Sequence, residues 1–135
     1  LERQFSVLNS KKSCIMALNR GNLGFTTQIG AGVTASVYTV GSGQTAYIKS
    51  VLLYNLNASS TQNVAIHVVK NSSGSVGTAG TTTRIARLGV TADDTFFFEP
   101  AYPITLTSNN DTLQVYNEGS ASSAINVLVL GDKEV

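Results

Sequence analysis

The chain predicts an all-β protein: an antiparallel β-sandwich, jelly-roll or immunoglobulin-like, of about eight short strands behind an irregular N-terminal arm. Three features predict it. The run Thr45 to Asn57, T-A-Y-I-K-S-V-L-L-Y-N-L-N, is apolar at alternate positions on both of its faces, as a strand inside a layered sheet reads. From Ala35 onward, turn residues recur about every ten positions, the rhythm of a sandwich made of short strands. No stretch repeats its apolar residues with the period of a helix of ordinary length.

The central run comes first because the other elements must pack on it. Ile48, Leu52, Tyr54 and Leu56 form one row, interrupted by Ser50, while Tyr47, Val51 and Leu53 occupy the opposite face. A strand apolar on both sides needs a neighbour over each, so the run is expected in the middle of the sandwich, emerging at Lys49 and the asparagines. Its β-branched and aromatic residues, with turns at both ends, favour a strand over a buried helix.

Residues 1–34 read as an N-terminal arm or lead-in and residues 35–135 as the sandwich domain. In the arm Phe5, Val7 and Leu8 alternate briefly and Cys14 to Leu18 is an apolar island, while Gly21, Gly24, Gly30 and Gly32 break any longer period. These apolar residues need a cover, either the same domain or a neighbouring subunit. Phe25 to Gln28 suits a short strand, and Val37 to Val40 another, with Gly41-Ser42-Gly43 turning the chain into the central run. After the polar loop Ala58 to Gln62, Val64 to Val69 alternates as a strand, and the Ser/Gly-rich stretch Asn71 to Gly80 reads as a flexible loop tip. Ile85 to Val90 is the next strand. Thr95 to Glu99 holds three consecutive phenylalanines, one of which must point away from its neighbours and needs a cover. Pro100 and Pro103 limit pairing around Ala101-Tyr102 and mark a sheet edge or a crossing between sheets. Ile104 and Leu106, the turn Ser108 to Asp111, the strand Leu113 to Tyr116, the turn Glu118 to Ser123 and the strand Ile125 to Leu130 complete the chain.

At 135 residues the chain fits one domain, able to bury roughly two-thirds of its unfolded surface. Nine basic residues against eight acidic ones give a net charge of +1 with no broad basic field, so neither nucleic acid nor a membrane surface is an expected partner. The one local cluster, Lys11, Lys12 and Arg20, lacks the aromatic platform that single-stranded nucleic acid needs. Charged residues make up only 13% while Ser, Thr, Asn and Gly abound, a surface suited to a β-rich subunit held in an assembly. The single cysteine, Cys14, cannot form an intrachain disulfide. Lys11-Lys12 ahead of Cys14 to Leu18 has the order of a signal peptide, but the apolar run falls short of the roughly 7–15 residues required. No transmembrane stretch is present.

No set of residues amounts to a catalytic, cofactor or metal site. His67 is the one histidine and sits between Ile66 and Val68 in a strand, without ligand partners at a metal-binding spacing. Cys14 lies in an apolar island with no histidine near it in sequence, the setting of an inert thiol. Asp93 and Asp94 are adjacent on an extended chain and so face opposite ways; turn capping is their expected job, with a calcium site alongside Asp111 or Glu99 as the alternative. Gly30-x-Gly32 and Gly41-x-Gly43 open no helix and carry no phosphate-loop meaning. Asn57-Ala58-Ser59, Asn71-Ser72-Ser73 and Asn110-Asp111-Thr112 match the glycosylation triplet, as an Asn- and Ser-rich chain does by chance.

The run Tyr38 to Asn55, Y-T-V-G-S-G-Q-T-A-Y-I-K-S-V-L-L-Y-N, resembles a phrase of tailed-bacteriophage virion structural proteins that reads Y-T-V-P-x-G-K-T-A before an alternating strand ending in Asn. Asn110 to Val115, N-D-T-L-Q-V, resembles the G-D-T-L-x-V turn and strand of the same proteins. Gly41 stands in place of the proline, Gln44 of the lysine and Asn110 of the first glycine. The resemblance extends over roughly residues 37–130. It implies a non-enzymatic virion component without cofactors: a capsid decoration or cement protein that binds and stabilises the shell, with a neck, tail or fibre-base protein as the alternative. Its partners would be the major capsid protein or other virion proteins and further copies of itself as a homo-oligomer, and its location the virion, assembled in the host cytoplasm. Phe5, Leu8, Ile15, Met16 and Leu18 of the arm are the expected subunit-interface residues. A carbohydrate-binding module is the rival from another class, using Tyr47, Tyr54, Tyr102 and Tyr116 in the absence of Trp.

Overall fold

A computed structural model describes residues 18–119 and 123–135, and its described secondary structure is entirely strand. In chain order the strands are β1 (Leu18–Asn22), β2 (Thr27–Ile29), β3 (Thr34–Thr39), β4 (Thr45–Asn55), β5 (Gln62–Val69), β6 (Arg84–Val90), β7 (Thr95–Phe98), β8 (Ile104–Leu106), β9 (Thr112–Asn117) and β10 (Ile125–Glu134). The sequence reading lacks β1, which comes from the stretch read as lead-in and carries too few apolar residues to show a period, while the short strand expected at Phe25 to Gln28 overlaps β2 at Thr27–Ile29.

All pairings are antiparallel. One sheet has the order β1-β10-β4-β7, with β2 also on β10 and β8 also on β4; the other has the order β3-β9-β5-β6. Among the described strands only β5 and β6 are both consecutive in sequence and hydrogen-bonded to each other. An immunoglobulin-like sandwich would keep several sequence neighbours side by side. The order β2-β10-β4-β7 facing β3-β9-β5-β6 is that of a jelly roll, in which most connections cross from one sheet to the other and the β5–β6 hairpin stays within one.

The inner faces meet in one core. Ile48, Val51, Leu53, Ile125, Val127 and Val129 from the larger sheet pack against Val64, Ile66, Val90, Leu113 and Val115 from the smaller. Each such side chain contributes roughly 1.5–3 kcal/mol by leaving water. Tyr38 joins them, and burial pushes its phenol above the ordinary range.

The central strand departs from its expected register. Ala46 and Ile48 face the core, but beyond them Val51, Leu53 and Asn55 do, so the inward row changes from even to odd positions. The cause is a bulge where Lys49 and Ser50 together oppose Leu130 of β10. Leu52 and Tyr54, expected in one row with Ile48, therefore point outward and are half-buried. Gly131 lies opposite Ile48, and a Cβ on it would come within 2.0 Å of the Tyr47 carbonyl oxygen. Only glycine lets β4 and β10 approach this closely.

Asn55, expected where the strand emerges into water, is fully buried. Its Nδ2 donates to the carbonyls of Ser60 (2.8 Å), Val90 (3.0 Å) and Thr91 (3.3 Å), tying the larger sheet to the smaller at one end of the sandwich. Asn117 does the same in reverse, its Nδ2 reaching Ile29 O and Ser123 O at 3.1 Å each.

The stretch Asn71 to Gly80 is not a free tip. The segment from Lys70 to Thr83 folds back over the outer face of the smaller sheet, where Gln114 Nε2 donates to Gly77 O (3.0 Å) and His67 Nδ1 meets Thr83 Oγ1 (3.0 Å). His67 and Gln114 are cross-strand partners, and both are buried beneath it. Between this segment and β3 remains a pocket of about 230 Å³ lined by Thr34, Ser36, Val76 and Gln114.

Candidate interaction surface

The two sheets differ in what covers their outer faces. The smaller has its own loop. Over the larger, no described strand forms a third layer, since every described strand belongs to one of the two sheets. Residues paired across strands share a face, so the register defines what this open side carries. Leu128, Leu52 and Phe97 form one continuous row across β10, β4 and β7. Leu130 extends it along β10 beside the bulge. Leu52, Leu128 and Leu130 are half-buried, and Phe97 is 58% exposed. The three phenylalanines thus divide as expected: Phe96 and Phe98 face the core side with Leu53 and Val51, and Phe97 points out with Leu52.

Polar groups frame this row. Asp132 holds Lys49 at 2.7 Å and Arg20 at 3.9 Å. Tyr47 Oη donates to Glu134 Oε1 at 3.1 Å, and Tyr54 Oη donates to the Asp93 carboxylate. These hydrogen bonds, followed by burial and the carboxylate charge, push both phenols above their ordinary range. Of the four tyrosines a sugar platform would use, Tyr47 and Tyr54 thus have their hydroxyls committed to carboxylates, while Tyr102 is exposed.

Of the residues expected at a subunit interface, Leu18 lies on β1 at the edge of this sheet, 42% exposed, opposite Glu134. Phe5, Leu8, Ile15 and Met16, together with Cys14, Lys11 and Lys12, lie outside the described residues. Two nearly bare aromatics were missed as a pair: Phe25, 95% exposed between β1 and β2, and Tyr102, 85% exposed between β7 and β8. Phe25 sits in a glycine-broken stretch without period, whereas the two prolines around Tyr102 signal an edge.

The remaining candidates are structural. Among the described residues no group of three or more His, Cys, Asp and Glu side chains could hold a metal ion. Asp93 adopts a φ of 52° in the turn before β7, and Asp94 Oδ1 caps Thr95 N at 2.8 Å. Asp111 is at the other end of β4, where its backbone carbonyl accepts from Val40 N, so it cannot share a cation with Asp93. Its Oδ1 accepts from Asn71 N (2.8 Å) and Asn71 Nδ2 (2.9 Å), and its Oδ2 from Ser108 N (3.1 Å). Burial would raise its carboxyl, but these donors outweigh it and hold the group below its ordinary value. Burial first, with Arg84 nearby, lowers His67, against opposing contributions from the Gly80 carbonyl and Glu118. The asparagines of the three glycosylation triplets all shape turns: Asn57 Oδ1 caps Ser59 N and Ser60 N, Asn71 Oδ1 accepts from Gly74 N, and Asn110 Nδ2 reaches Gly74 O.

The chain matches no protein-family model, and no curated protein matches it in sequence. Among solved structures it is similar to Bacillus endospore appendages, described as disulfide-linked pili, at 14% identity and a TM-score of 0.48, over 90% of this chain and 88% of that one. It is also similar to infectious bursal disease virus of the Gt strain, at 10% identity and a TM-score of 0.37, over 87% of this chain and 32% of that one. A T13 particle of the same virus gives 10% identity and a TM-score of 0.35, over 87% of this chain and 34% of that one.

Proposed function

We propose that the protein is a non-enzymatic structural subunit of a bacteriophage virion, a decoration or cement protein that lies on the capsid shell. The observation that carries this reading is the open outer face of the larger sheet, where Leu130, Leu128, Leu52 and Phe97 make a continuous apolar row with no third layer of described strands over it. A subunit gains roughly 25 cal/mol for each Å² of such surface that a neighbour covers. The phage-like wording of Tyr38 to Asn55 supports the virion as the setting. The arm, with Phe5, Leu8, Ile15, Met16 and Leu18, is the second contact in this proposal, joined to the sandwich where β1 begins at Leu18.

The test is co-purification with particles from the protein's own source, using wild type, Phe97→Asp and a deletion of residues 1–17. Wild type should travel with the particles, and both variants should stay folded but bind at least about tenfold more weakly, as loss of a central apolar contact does. A folded wild-type protein absent from the particles, or a Phe97→Asp variant that binds unchanged, overturns the reading.

A further inference from the structure

We propose that the two edges of the larger sheet are complementary and mate between copies, so that the protein associates side by side, head to tail, into a continuous β-layer. This rests on the reading of the protein as an assembling subunit and says how its copies would meet.

Both edges have the same divided build. On one side β1 pairs with residues 130–134 of β10 and β2 with residues 125–127. On the other, β8 pairs with residues 46–48 of β4 and β7 with residues 51–54. Each edge is therefore two short strands separated by a loop, and both breaks flank the bulge at Leu130, Lys49 and Ser50. Each loop carries one of the two most exposed aromatics among the described residues, Phe25 on the first edge and Tyr102 on the second.

Strand direction fits such a contact. β1 and β2 are antiparallel to β10, which is antiparallel to β4, so both run parallel to β4. β7 and β8 run antiparallel to β4. A second copy translated along the sheet sets β1 beside β8 and β2 beside β7, each antiparallel, the arrangement that continues a hydrogen-bond ladder most readily. The Phe25 loop then meets the Tyr102 loop. Pro100 and Pro103 keep the latter from joining a ladder, so at that level the contact is between side chains.

Charge fits as well. Residues 18–29 contain Arg20 and no acid, while residues 93–106 contain Asp93, Asp94 and Glu99 and no base. Arg20 is 77% exposed and only loosely held by Asp132 at 3.9 Å, since Lys49 sits on that carboxylate at 2.7 Å. Glu99 and Asp94 are exposed. Because the two mating surfaces are different, the contact does not close on itself as a two-fold dimer does, and it builds rings or filaments.

Sedimentation velocity of the full chain over a concentration series tests the proposal. Wild type should form oligomers larger than dimers, and Phe25→Ser or Tyr102→Ser should each raise the concentration needed by about tenfold or more without changing the fold. Arg20→Glu and Glu99→Arg should each weaken association when alone, yet a mixture of the two should recover it, because the acidic first edge of one then meets the basic second edge of the other. Wild type that stays monomeric overturns both this proposal and self-assembly. Wild type that assembles regardless of the aromatic substitutions, or single charge variants that mixing does not rescue, overturns the edge contact and leaves the apolar face as the route to assembly.

Discussion

Asn55 shows how much one buried amide decides. Its Nδ2 serves three carbonyls and its Oδ1 accepts from Asn57 N at 2.8 Å, so the side chain joins β4, the loop after it and the end of β6. Replacing it with Leu keeps the volume but strands these backbone groups, each costing about 1–3 kcal/mol when buried without a partner. Asn55→Asp turns a donor into an acceptor pointed at carbonyl oxygens. Chemical denaturation should therefore show both variants destabilised by at least about 2 kcal/mol, with Asn55→Asp the worse at neutral pH and partly recovered in acid, where the carboxyl can donate. Equal stability of Asn55→Leu and wild type would show that water replaces the amide. Sequence offers no sign of this role, because its partners lie 5, 35 and 36 residues away.

At the scale of elements, the bulge between β4 and β10 sets the character of both sheet faces. Without it the row of Ile48 would continue through Ser50, Leu52 and Tyr54, and the inward side would receive a serine and a tyrosine. With it, Val51 and Leu53 enter the core and Leu52 and Tyr54 go out. The sequence leaves the phase ambiguous because Val51, Leu52 and Leu53 are all apolar, and either alternation can be read through them. The Phe96 to Phe98 triplet was legible for the opposite reason: alternation alone requires one ring to oppose the other two. Jelly-roll order was not legible, since it depends on pairings such as Ile125 with Asn55 and Ile29 that no local pattern encodes. The close approach at the bulge gives a direct test. Gly131→Ala places a methyl against the Tyr47 carbonyl, which as backbone cannot swing aside. A cost of about 1–3 kcal/mol is expected, read as a lower denaturation midpoint. An unchanged midpoint would mean that the bulge slides to make room.

For the molecule as a whole, the decisive property is that the outer face of the smaller sheet is covered by its own chain while no described strand lies over that of the larger, and the cover is fastened by groups that titrate. His67 meets Thr83 at one end of the Lys70 to Thr83 segment, and Asp111 holds Asn71 at the other. The His67 pKa is lowered from its ordinary 6.5, so between the folded and unfolded values the unfolded chain binds more protons. Its contribution is fully present above about pH 6.5 and is lost as pH falls through the folded value. Asp111 is likewise lowered from 3.8, so its contribution is present above that value and disappears as pH falls further. Acid should thus loosen the cover in two stages, first at the His67 end and then at the Asp111 end. Calorimetry from pH 8 to pH 3 should show the melting temperature falling below about pH 6.5 and more steeply below about pH 4. His67→Gln should flatten the first stage and Asp111→Asn the second. Opening the cover exposes the backbone and side chains of the smaller sheet, so acid should also increase hydrogen exchange at Ala65, His67 and Gln114 ahead of core positions such as Leu53. Exchange that rises together at Gln114 and Leu53 would mean that the segment opens only with the whole fold, and that the molecule has one cooperative unit and no separate cover.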